Sequence, residues 1–146
     1  MNFRSVAAIV AAAGLLAGCG ATDANRPAVD DIGKQVVAGW KSTTGVEDAA
    51  YRYVHGLDLG QQVHLQATLA AASVSDAKFG ELVEKAREIY WKSGERSVSL
   101  PVTFYSSDKP PSGEVRSSPD SVFSGEVEIG DPAELEKKYG PRPTRK

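Results

Sequence analysis

Cysteine occurs once in these 146 residues, and histidine only twice. The single thiol, Cys19, excludes an internal disulfide, and His55 and His64 stand in no His-x-x-x-His or paired-cysteine spacing that would suit a metal. Long apolar runs are scarce too. The stretch from Val6 to Leu16 falls short of the roughly 20 residues a bilayer-spanning helix requires, so it reads as an export signal and not as a span. Neither sign of charge dominates: 17 Lys and Arg face 19 Asp and Glu, for a formal net charge of −2, which argues against a nucleic-acid partner. No Gly-x-Ser-x-Gly elbow and no Gly-rich phosphate cradle is present.

What the chain does contain begins at its leader. Leu16-Ala17-Gly18-Cys19 closes the apolar stretch, with Arg4 supplying a positive end before it. A thiol is the one nucleophile there suited to a thioether with lipid, and the small side chains of Ala17 and Gly18 leave an enzyme room to reach it. The segment resembles a bacterial lipoprotein signal of the high-GC Gram-positive type, which implies lipid attachment at Cys19 after removal of residues 1–18. Two other readings compete: an ordinary secretory signal cut after Ala24, and a chance cysteine in an Ala-rich leader. The lipoprotein resemblance implies a protein anchored on the extracytoplasmic face of the cell membrane, with Cys19 consumed by lipid. The globular part must then stand on packing alone.

Residues 19–28 lack periodicity and read as a flexible tether. A single domain is expected over 29–140, with its core in 29–105, a mobile loop at 106–121 and a basic tail at 141–146. Val29, Ile32, Val36, Val37 and Trp40 mark a helical stripe, with Asp30 and Asp31 expected to cap its start. Val46 to Val54 reads as a strand, followed by the turn formers His55 to Gly60 and a second strand in which Val63, Leu65, Ala67 and Leu69 alternate with His64, Gln66 and Thr68. That alternation predicts one buried and one wet face. After Ser75 and Asp76, Phe79, Leu82, Val83, Ala86, Ile89 and Tyr90 form the longest stripe, with Gly94 as a stop. A third strand follows, with Val98, Leu100, Val102 and Phe104 inward and Ser97, Ser99, Thr103 and Tyr105 outward; Pro101 suggests an edge position or an irregularity. Phe123, Val127 and Ile129 predict a further strand, and Asp131-Pro132 opens a short helix toward Gly140.

The fold class is therefore α+β: a small antiparallel or mixed sheet of three to four strands, two helices on one face, order α-β-β-α-β, then an extra strand and short helix. This order, with the Gly45-Val46 entry to a strand, makes residues 29–105 similar to a BON domain, a module linked to phospholipid surfaces. Chemistry is sparse. Ser75 and Lys78 match Ser-x-x-Lys, but the helix start favours capping; Asp58 lacks the spaced carboxylates of a calcium loop. Tyr51, Tyr53 and Trp91 offer an aromatic surface that core packing explains better. Lys137, Lys138, Arg142, Arg145 and Lys146 are candidates for contact with anionic lipid or cell-wall polymer. The expectation is a non-catalytic interaction module with no cofactor. A small envelope hydrolase or metal-binding protein, and a purely structural surface lipoprotein, are the alternatives.

Overall fold

The first helix, α1, spans Arg26–Lys41 and buries Val29, Ile32, Val36 and Trp40 completely, one side chain per turn. The computed structural model describes residues 26–56, 60–112, 115 and 119–144; residues 1–25, with Cys19, and Asp58, Arg145 and Lys146 lie outside them. Because α1 starts at Arg26, Asp30 and Asp31 sit one turn inside it and do not cap it. Asp30 instead lies 2.9 Å from the Lys34 ammonium and accepts a hydrogen bond of 2.9 Å from the Tyr51 hydroxyl. The helix also takes Arg26, Pro27 and Ala28 from the expected tether.

Two strands follow, β1 (Val46–Gly56) and β2 (Gly60–Leu69), paired antiparallel in a register that sets Tyr51 beside Leu65 and Tyr53 beside Val63. Their tyrosines face the helices. Gly33 explains how closely they approach: a Cβ added there would stand 2.2 Å from Cδ2 of Tyr51. A glycine that weakens α1 as an isolated helix is what lets the aromatic ring lie against it.

Helix α2, Asp76–Ser93, begins at the expected cap, where the Ser75 hydroxyl accepts from the Lys78 amide at 3.2 Å, and ends at Gly94 with φ of 75°. It buries Phe79, Leu82, Ala86, Tyr90 and Trp91. Two buried ties join it to α1. Trp40 Nε1 donates to the Leu82 carbonyl at 2.8 Å, and Lys85 Nζ donates to the Gly39 carbonyl and the Thr43 hydroxyl at 3.1 and 2.9 Å. The second of these also satisfies a carbonyl left over at the end of α1.

The chain returns as β3 (Val98–Ser99) and β4 (Pro101–Ser106), both parallel to β2, so the sheet is mixed. Strand β5 (Phe123–Glu126) pairs antiparallel with β4, giving the order β1-β2-β4-β5. Pro101 is thus not on an edge; the strand is interrupted at Leu100, immediately before it. Phe79 and Phe123 each stack on Phe104 and tilt against one another, and Trp40 meets Phe104 edge-on, with ring centroids 5.2–5.5 Å apart, joining α1, α2, β4 and β5. Each large side chain buried in this way contributes roughly 1.5 to 3 kcal/mol. The last helix, α3 (Pro132–Tyr139), is capped by Asp131, whose carboxylate accepts from the Ala133 amide at 2.9 Å, and it buries Leu135.

One expectation fails on the far side of the sheet. The alternate residues Gln66, Thr68, Thr103 and Tyr105, predicted to be wet, are buried; Tyr105 has no exposed surface at all. These positions of β2 and β4 are therefore buried on both faces of the sheet.

Candidate functional site

The residues that carried chemical suspicion in the sequence are held in structural roles or kept apart. His55 and His64 lie on opposite faces of the hairpin, since His55 pairs with Gln61 and His64 with Arg52. His55 stacks on Tyr53, while His64 Nε2 lies 2.9 Å from Gln62 Oε1. Burial, assisted by the charge of Arg52, lowers the His64 pKa below its usual value. Among the described residues no group of three His, Cys, Asp or Glu side chains converges. The Lys78 ammonium turns to the Thr44 carbonyl at 3.1 Å and to Glu81 at 2.6 Å, while the Ser75 hydroxyl serves as the cap of α2. Tyr51 and Tyr53 pack, half-buried, against the core.

The basic C-terminal residues are distributed differently from a simple tail. Lys137 is exposed. Lys138 bonds Glu84 Oε1, which also accepts from the Tyr139 hydroxyl, while Arg87 bonds Glu84 Oε2. Burial would raise the Glu84 carboxyl, but hydrogen bonds from Lys138 and Tyr139 and the charge of Arg87 outweigh it and hold the pKa below the usual value. The Arg142 guanidinium lies over Trp91 and Tyr90, at 4.9 and 5.3 Å from the ring centroids, and donates to the Glu95 carbonyl. Trp91 Nε1 in turn donates to the Gly140 carbonyl at 2.9 Å. The chain after α3 is therefore fastened across the end of α2. Sequence reasoning missed this clamp because its two halves lie 49 residues apart between Trp91 and Gly140.

A recess between α2 and β5 is the feature best placed to bind something. Phe79, Gly80 and Val83 from α2, Phe123 from β5 and Asp76 at one end line an open groove of about 330 Å³. Its floor is the aromatic stack described above. Among the described residues Asp76 is its only charged lining residue, so the groove offers apolar contact with an acid at its mouth. The helix stripe signalled Phe79 and Val83, but their role as a groove wall depends on where β5 comes to rest. A second, polar recess further along involves Arg87, Glu128, Asp131 and Glu134; its arginine is already bonded to Glu84 and to the Glu128 carbonyl at 2.7 Å. No family model matches this chain, and neither a curated protein nor a solved structure matches it significantly.

Proposed function

We propose that the protein is a lipid-anchored, extracytoplasmic lipoprotein whose α+β domain is a non-catalytic interaction module. The observation that carries the anchor is Cys19 at the end of Leu16-Ala17-Gly18, with the domain beginning soon after at Arg26. One acyl chain gives reversible membrane binding and two give stable anchoring, at about 0.8 kcal/mol for each buried methylene, so a diacylglyceryl group on Cys19 holds the domain permanently. The few intervening residues keep it close to the bilayer. The open, mostly apolar groove between α2 and β5 supports a binding role.

Of the basic residues assigned to anionic lipid or cell-wall polymer, exposed Lys137 keeps that role, together with Arg145 and Lys146 beyond the described residues. Lys138 and Arg142 have partners within the domain. Metabolic labelling with palmitate in a bacterial host tests the anchor. Label is expected on the wild-type protein and lost in Cys19→Ala; label retained by Cys19→Ala overturns the assignment.

A further inference from the structure

We propose that the groove between α2 and β5 receives an extended segment of a partner protein, added as a strand beside β5, with aliphatic side chains alternating with Lys or Arg. This rests on the interaction-module part of the reading above and is independent of the lipid anchor. Three separate observations meet at this place.

The first is a glycine that packing within the chain does not explain. Gly80 lies in the strongest helix, where glycine costs about 1 kcal/mol relative to alanine. Unlike Gly33, whose missing Cβ makes room for Tyr51, Gly80 is exposed and has no atom within 4 Å of an added Cβ. It keeps open the groove it lines. The second is Val122, which at 40% exposure is the one exposed large hydrophobic side chain among the described residues, and it immediately precedes Phe123 of the groove. The third is the edge itself. β5 ends the sheet. Its register with β4 and the bond from the Val127 amide to the Leu100 carbonyl turn the Phe123 and Gly125 backbone groups toward β4. Alternation then leaves those of Ser124 and Glu126 facing outward. Such an edge offers main-chain hydrogen bonds to an incoming strand, and an adjacent pocket selects every second side chain.

Side-chain direction and charge define the partner. Phe123 stacks on Phe79 and Phe104, so the incoming residues on that side face the apolar groove. The neighbouring residues point to the other side of the sheet, where Glu126 is exposed. Among the described residues, Asp76 at the mouth and Glu126 beside the edge both lack an ion-pair partner and no cation lines the groove. Carboxylates without counter-charges favour a basic strand and disfavour a second copy of this acidic edge.

The test uses the mature chain with Cys19→Ser, so that lipid plays no part, and a fluorescent, end-blocked peptide of alternating Val and Lys. Val-Glu and Ser-Lys peptides of the same length are the controls. Fluorescence anisotropy is expected to show saturable binding of the Val-Lys peptide alone. Gly80→Leu fills the groove, and Ser124→Pro removes an outward amide without touching the ladder to β4; each is expected to weaken binding about tenfold while thermal melting shows a folded domain. Asp76→Asn with Glu126→Gln is expected to weaken it about threefold at low salt and little at high salt. No binding of the Val-Lys peptide, equal binding of the Val-Glu peptide, or indifference to both Gly80→Leu and Ser124→Pro overturns the proposal. So does a concentration-dependent dimer abolished by Ser124→Pro, which makes a second copy the occupant. None of these outcomes bears on palmitate labelling.

Discussion

Replacing Gly33 by alanine tests whether tertiary contact overrides helix propensity in this domain. In an isolated helix the change is favourable by about 1 kcal/mol. Here the new Cβ falls 2.2, 2.6 and 2.7 Å from three atoms of the Tyr51 ring, distances that force a displacement. The backbones of α1 and β1 are fixed by the core, so the ring must leave its place. Overpacking of this kind costs about 1 to 3 kcal/mol, and the lost hydrogen bond from Tyr51 to Asp30 adds about 1. After subtraction of the propensity gain, Gly33→Ala is expected to destabilise by roughly 1 to 3 kcal/mol, and each kcal/mol lowers the melting temperature of a domain of this size by roughly 4 °C. Calorimetry or urea unfolding reads the difference. In a Tyr51→Ala background the same Gly33→Ala change is expected to stabilise by about 1 kcal/mol, giving a coupling of about 2 to 4 kcal/mol. A stabilising Gly33→Ala in the wild-type background, or no coupling to Tyr51, refutes the argument. Gly80→Ala, with no atom within 4 Å, is the internal control and is expected to raise stability by up to about 1 kcal/mol.

Trp40→Phe keeps an aromatic ring but removes the donor to the Leu82 carbonyl and shrinks a fully buried side chain, and is expected to cost at least about 1 to 3 kcal/mol, read as a lower urea midpoint with unchanged slope. Arg142→Ala removes the cation over Trp91 and Tyr90 and is expected to cost about 1 to 2 kcal/mol. It should also open the chain after Gly140 to carboxypeptidase, and equal resistance to digestion in variant and wild type contradicts the clamp. Glu84 has a folded pKa below its unfolded one, so the stability it supplies is present above the unfolded value and lost as pH falls through the folded value. Glu84→Gln should therefore melt lower than wild type at neutral pH, the gap closing through the acid range; a gap independent of pH overturns the assignment.

Much of the fold was written in local patterns. The stripe from Phe79 to Tyr90, with Ser75 before it and Gly94 after it, specified α2 to the cap, because capping and periodicity act over a few residues. The alternation of Val63, Leu65, Ala67 and Leu69 likewise fixed which face of β2 enters the core. The start of α1 was less legible, since Pro27 at a helix entry looks like part of a tether until the helix is seen. The far face of the sheet was misread for another reason. Gln66, Thr68, Thr103 and Tyr105 are polar enough to suit water, and their burial is set by contacts that alternation along one strand does not encode. Among the candidate sites, Ser75 was readable as a cap, whereas the groove was not readable at all. It exists only because β5 settles beside a helix whose last residue, Ser93, lies 30 positions before Phe123.

The sequence by itself determined the residue classes: one cysteine positioned at the end of an apolar stretch, helices and strands of defined period, and a single thiol, too few for an internal disulfide. Those properties follow from composition and from spacing within one or two turns of chain. Tertiary structure alone decided that β4 lies parallel to β2 in the middle of the sheet, that Arg142 is clamped by Trp91 and Tyr90, and that Gly33 is filled while Gly80 is left open. These are contacts between residues distant in sequence, set by which faces the whole chain can bury at once. No local pattern encodes them, so the two glycines look alike as letters and differ only in the folded domain.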